Sequence, residues 1–499
     1  MWGRRLGCMA RQSYESYLQN MRVKEQVEAD KIKAGWHEVF FSLSYSTALG
    51  AAATQFLRQL ELQQQGAQDA ERFGAALALM LPLFMHWLGH QMYLNRYDNS
   101  DAVHNVYQML NVLFFALAGA GIPFCSRQDG EVDFVSCSQF AFFMFFSRLT
   151  TLLMTLRAYF FLRRAGLFQL RAASLLAAAS GLWLLNGLLD LFATSRLLTW
   201  LLWWLPTALE ALSISLVMLF FPMDAHPSSV PARIGLLSER FGLTFIVTLG
   251  NMVVTSTKVI ITDPVFDAQY VTVASMIIIA FTFKLIYFDV GRVTIIDDTR
   301  HALRWHSWAG WLWTLMHLAL NVSIVFMTSS YSVVFASPGT PQLNSQRWVL
   351  CASTGAVLLS LCILQLLHKR RHVETRVHWL VRLSIRFLSG LLFILLPLVP
   401  PESFPLWALS LTMAGVMILL ILLEYFGDVH TSLASDSAAA SGNSIARSLR
   451  QEHYSKQAAR TRENTPARTI DDSDSEDGIF SQDAPDLTSI PTTFSIPNR

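Results

Sequence analysis

Charge is scarce in this chain: only 15% of its 499 residues are Asp, Glu, Lys or Arg, against about 25% in ordinary soluble domains. The formal net charge of +2 leaves no concentrated basic field, which argues against a nucleic-acid partner. Cysteine is also sparse. The five residues Cys8, Cys125, Cys137, Cys351 and Cys362 form no CxxC pair and no Cys/His cluster at metal-ligand spacing. No Gly-rich phosphate loop, nucleophile elbow, zincin helix or triad spacing is present, so the sequence gives no positive support for an enzyme, a cofactor or a metal centre. Residues 1–35 lack the apolar core of a cleavable signal, and the first apolar run is expected to serve as an uncleaved anchor.

Apolar runs are what the chain has in quantity. It is 53% hydrophobic with a mean hydropathy of +0.37. A bilayer core takes roughly 20 apolar residues per helix. By that measure we place twelve spans near 36–57, 73–94, 104–123, 139–162, 171–193, 198–221, 241–262, 268–289, 306–329, 347–367, 380–399 and 405–426. The first span is the most polar, and the hinge between the fifth and sixth is short. The predicted class is all-α: a polytopic transmembrane helical bundle. Its regions are an amino-terminal segment (1–35), a first six-span half (36–230), a second six-span half (231–426) and a polar tail (427–499).

The loops carry their positive charge on alternate sides. Arg4, Arg5, Arg96, Arg163, Arg164, Arg233, Arg240, Arg292 and the cluster Lys369–Arg371 fall on the side of both termini, while the opposite side has only Arg58, Arg72, Arg127 and Arg196. The positive-inside rule then puts both termini in the cytosol. Glu38-Val39-Phe40 opens the first span and Glu239-Arg240-Phe241 the seventh; Tyr97-Asp98 closes the second and Phe288-Asp289 the eighth. Six spans per half would make such a repeat parallel rather than inverted.

Ionisable residues inside spans are the candidate functional groups, since a charge at the bilayer centre costs at least roughly 2.5–3.5 kcal/mol. Glu210 lies mid-span, four residues after Pro206, whose missing N–H frees a carbonyl near Leu202. It could be a proton or cation site, or a neutral carboxyl bonded to another helix. Arg148 is equally deep and is the candidate for an internal ion pair, with Glu210 a possible partner. Arg157, nine residues on, falls on nearly the opposite face and could snorkel to headgroups. His86 and His90 share one helix face, and His317 sits mid-way along the ninth span; relay and plain interhelical bonding both fit these histidines. Asn186, Asn251, Asn321 and Gln365 read as interhelical glue, and the run Ala116–Gly121 as close packing. Lys258, Lys284, Asp190 and Glu424 lie near span ends, within reach of water. Glu38, Asp98, Glu239 and Asp289 either converge on the cytosolic side or act as helix caps and loop anchors. Cys125 and Cys137 flank one loop, which allows a disulfide if that loop is extracytosolic.

The tail is too polar to bury a core. Its block Asp471–Asp477 places Ser473 and Ser475 as acidic-directed kinase sites and Thr465-Pro466 as a proline-directed one. Equally, the tail reads as a solvated segment whose basic stretch Arg447–Arg468 could rest on anionic lipid.

Several segments together resemble the bacterial low-temperature-requirement A family of multi-pass membrane proteins. The stretch from Trp87 through Asn95-Arg96-Tyr97-Asp98 to Asp101 is similar to that family's Trp-rich second helix and its Asn-Arg-Phe-Asp block. His37-Glu38-Val39-Phe40-Phe41-Ser42-Leu43 resembles the opening Glu-Leu-Phe-Phe-Asp-Leu, with Ser42 in place of Asp. Ser238-Glu239-Arg240-Phe241-Gly242-Leu243, continuing to Leu249-Gly250, resembles the second-half motif, with Asn251 in place of its closing Glu. Arg148 and Arg157 stand where the family has arginines on its fourth helix. The resemblance covers about residues 36–426 and implies a membrane location and a shared helical fold, with no particular substrate. From the residues themselves, the partners expected are the lipid bilayer, an unidentified small ion or solute at Glu210 and Arg148, and a kinase at the tail.

Overall fold

Twelve long helices are present in the computed structural model, which describes residues 22–23, 35–62, 69–98, 101–125, 136–161, 166–189, 196–220, 233–262, 268–290, 301–336, 343–368, 377–401 and 403–427. They are α1 (Trp36–Leu62), α2 (Asp69–Arg96), α3 (Ala102–Gly121), α4 (Ser138–Phe161), α5 (Gly166–Gly187), α6 (Arg196–Phe220), α7 (Ile234–Thr262), α8 (Ala268–Lys284), α9 (Ser307–Ala336), α10 (Leu343–Leu366) and α11 (Trp379–Leu395), followed by α12 (Leu406–Gly427). A two-residue antiparallel pairing of Arg22–Val23 with Tyr97–Asp98 is the strand content among the described residues. The all-α bundle expected from the hydropathy is the observed fold. Boundaries shift in places: α7 begins about two turns before the expected span, and α5 begins and ends earlier than expected.

Among the described residues, nine of the twelve helices are long and apolar enough to cross a membrane; α1, α5 and α7 are not in that set. Position explains two of the three. α1 packs against α2, α3, α7 and α9, and α7 against α1, α8 and α9, so Ser42, Ser46, Ser238, Thr244, Thr248 and Ser256 face protein rather than hydrocarbon. α11 is the opposite case, with Leu380, Ile385, Leu388, Leu391 and Leu395 exposed along its outer face. A helix facing lipid on most sides must be apolar all round, whereas a central one is free to carry polar groups that find partners.

The neighbours of α1–α5 and of α7–α11 follow one order: first with second, first with third, third with fourth, fourth with fifth. Small residues set the closest approach. A Cβ placed on Gly119 would come 2.7 Å from Ala48 Cβ, and one on Gly121 would come 3.2 Å from the Phe140 backbone nitrogen, as the Ala116–Gly121 run suggests. Cys125 and Cys137 are joined in a disulfide, while Cys351 and Cys362 are free and buried.

Candidate functional site

Prolines inside two packed helices shape the middle of the first half. Pro82 interrupts α2 and Pro206 interrupts α6. Each removes the N–H that the carbonyl four residues earlier expects, which orphans Ala78 O and Leu202 O. Neighbouring side chains supply the missing donors: Trp203 Nε1 to Ala78 O at 3.2 Å, and Asn186 Nδ2 to Leu202 O at 3.0 Å. Between them lies Arg148, fully buried, beside Glu210 at 9% exposure. Arg148 donates from Nε and Nη2 to the Glu210 carboxylate, the Nη2 to Oε2 distance being 2.6 Å, and from Nη2 to Pro82 O at 3.2 Å. Its guanidinium also sits over the Trp183 ring, 5.6 Å from the centroid. Desolvating two ions costs several kcal/mol each, and their attraction offsets this only when the remaining donors are also met; here Pro82 and Trp183 help meet them.

One residue before Arg148, Ser147 opens a second network at the same depth. Its Oγ donates to Asn111 Oδ1 at 2.6 Å and lies 2.7 Å from His86 Nε2. His86 Nε2 is in turn 2.9 Å from Asn111 Oδ1. Asn111 Nδ2 contacts His90 Nδ1 at 3.2 Å. An amide nitrogen only donates, so in this arrangement His90 accepts at Nδ1. Phe41 and Phe115 pack their rings around the two histidines. His86 and His90, one turn apart on α2, therefore meet at one asparagine.

The remaining charged pairs lie near helix ends that the alternation of the helices brings to one end of the bundle. Glu38 of α1 takes Nε of Arg240 at 2.7 Å and its Nη2, while Arg240 Nη1 donates to Gln91 O at 2.9 Å. Asp101 caps α3 through the His104 N–H at 2.8 Å and receives both Arg157 Nη groups at 3.0 Å. Burial pushes the Asp101 carboxyl up, but the Arg157 hydrogen bonds and the His104 N–H outweigh it and hold it below the usual carboxylate value. Burial also pushes the nearby Tyr97 phenol up to about 12. Glu424 of α12 binds Arg382 at 3.1 Å and Arg386, which also donates to Gln365 at 2.7 Å. Asn95 clasps the backbone of Arg233, donating to its carbonyl at 2.9 Å and accepting from its N–H at 2.7 Å.

A ladder of smaller polar groups climbs the α1–α7–α9 seam from the Glu38–Arg240 pair. Thr244 donates to Ser42 at 3.0 Å, Asn251 to Ser46 at 2.8 Å, Thr248 to Asn321 at 3.3 Å, and Thr54 to Ser329 at 3.3 Å. From Glu38 to Thr54 is sixteen residues, or about 24 Å of helix, most of a roughly 30 Å hydrocarbon core. His317 stands apart from the His86 network: Nδ1 meets Trp313 O at 2.8 Å and Nε2 meets the Tyr287 hydroxyl at 3.0 Å.

Several expected roles change. Arg157 does not snorkel; it is held by Asp101. Glu424 does not reach water, being 4% exposed against two arginines. Of the four acids expected on the cytosolic side, Glu38 pairs with Arg240 and Glu239 is exposed. The side chains of Asp98, Asp190, Lys258 and Asp289 lie outside the described residues, as do Cys8, Thr465, Ser473 and Ser475. Lys284 lies over the Phe281 ring, and Arg96 bonds back to Met92 O. Among the described residues no group of three or more His, Cys, Asp or Glu could hold a metal ion. Sequence reading passed over Pro82, Trp203, Asn111 and Ser147. Pro82 inside an apolar run was the available signal; the other three look like ordinary span residues.

Twelve long helices among the described residues, apolar outer faces and an ion pair buried at mid-span define a multi-pass integral membrane protein. The family model of the bacterial low temperature requirement A protein (LtrA) matches residues 33–422, and the chain belongs to that family. A search of curated proteins found no match.

Proposed function

We propose that this protein moves a small ion or solute across its membrane, with protons the first ion to test. The observation that carries the reading is the polar layer at mid-depth: the Arg148–Glu210 pair, packed against the proline-bearing helices α2 and α6 and joined through the α4 backbone to the Ser147–Asn111–His86–His90 chain. Interrupted helices with ionisable side chains at this depth suit binding and release of a small cargo. The arrangement of loop arginines supports cytosolic termini, and the shared neighbour order of the two halves supports a parallel duplication of residues 36–230 and 231–426. Flux into liposomes is the test, comparing wild type with Glu210→Gln, His86→Gln and the charge-free Arg148→Met/Glu210→Leu double variant. Loss of flux in stably folded variants supports the role; unchanged flux in all three removes this layer from the mechanism.

A second reading has its own observation. Arg148 and Glu210 satisfy each other within the protein, which suits a non-transporting membrane scaffold or stress sensor with a phosphorylatable tail. Deleting residues 427–499 separates the two: loss of cellular function with flux intact, or with no flux measurable at all, favours the scaffold.

A further inference from the structure

Four arginine side chains, Arg148, Arg240, Arg347 and Arg386, are less than 2% exposed. Three of them meet a carboxylate: Glu210, Glu38 and Glu424. Arg347 does not. No carboxylate among the described residues lies within ion-pair distance of it. Among the described residues it makes one long hydrogen bond, from Nη2 to Val399 O at 3.4 Å, and Nε and Nη1 have no partner there. Arg347 stands in the first two turns of α10, which the alternation of the helices places at the end of the bundle opposite the Glu38–Arg240 pair. Snorkelling does not account for it. The adjacent Trp348 is 38% exposed and takes the lipid-facing side, leaving Arg347 turned inward.

A guanidinium cannot shed its charge, and an uncompensated buried ion is strongly disfavoured. We propose that Arg347 is the anchor of an anion site, where an oxyanion of the phosphate type accepts from guanidinium N–H groups that the protein leaves unmet. The planar guanidinium fork suits phosphate oxygens. The phosphate arrives either as a free ion or on the headgroup of an anionic lipid. This site is separate from the mid-depth layer and does not depend on a transport role.

The test uses the full chain in dodecyl maltoside micelles, which carry no phosphate. Thermal unfolding is followed on adding inorganic phosphate at constant ionic strength, or phosphatidylglycerol. A rise in Tm with inorganic phosphate identifies a free-ion site; a rise with the lipid alone identifies a headgroup site. Arg347→Gln is expected to weaken the effective ligand by roughly ten- to a hundredfold, and Arg347→Lys to keep part of the response. Native mass spectrometry of the wild type gives a readout independent of either variant, as a retained phosphate or lipid adduct. The proposal is overturned if the wild type shows no adduct and no Tm response, or if Arg347→Gln responds as the wild type does.

Discussion

Asn186 of α5 donates to the carbonyl of Leu202 at 3.0 Å, the carbonyl that Pro206 leaves without its helical donor. The same repair is made at Pro82, where Trp203 of α6 reaches Ala78 O on α2. Hydrocarbon offers no water to satisfy such groups, so a proline inside a span demands a donor from elsewhere. These two donors tie α5 to α6 and α6 to α2, and the space so framed is the one Arg148 and Glu210 occupy.

If that repair is what holds α6 in place, Asn186→Leu should destabilise the protein by about 1–3 kcal/mol, the cost of an unmet buried carbonyl. Adding Pro206→Ala restores an N–H at position 206 and should recover much of the loss. Thermal unfolding of the two single variants and the double variant measures this. Strictly additive effects would show that the two residues act independently.

Asp101 gives the stability an acid limb. Its carboxyl lies below the ordinary value in the folded chain, so the folded state favours its charged form. The stabilisation is complete above the unfolded value of about 3.9 and is lost as pH falls through the lower folded value. The stability gap between wild type and Asp101→Asn should therefore hold steady from pH 7 to about pH 5 and close below about pH 4. Arg157→Gln should narrow the gap at neutral pH. A pH series of thermal unfolding in micelles reads both, and a gap that widened toward low pH would contradict the assignment.

Gly119 sets the α1–α3 distance. Since its added Cβ would lie 2.7 Å from Ala48 Cβ and 3.1 Å from Ala48 Cα, Gly119→Ala should cost about 1–3 kcal/mol through overpacking. Ala48→Gly in the same chain should relieve the Cβ contact and recover part of it. Thermal unfolding of the pair decides: a Gly119→Ala variant as stable as wild type would mean the helices separate at little cost.

Much of the fold is written along the chain because crossing a bilayer is a local requirement. Each apolar run must be long enough and helical, whatever its neighbours; a helix stands at each expected run, and among the described residues nine of the twelve are long and apolar enough to cross. The same reasoning marked Arg148 and Glu210, as a charge in such a run demands a partner. It misread Glu424 and Arg157, because closeness to a span end says nothing of which way a side chain points. Glu239 and Arg240 part ways for the same reason: one residue is about 100° of helix, and that rotation sends one outward and the other to Glu38.

The amino-acid order by itself determined that this is a membrane-spanning helical bundle with charges buried at mid-depth, since the bilayer selects on length and polarity alone. Which charges meet was decided by tertiary packing. Glu38 finds Arg240 across 202 residues and Trp203 finds the Ala78 carbonyl across 125. Helix rotation and neighbour choice arise only when all the faces are packed together.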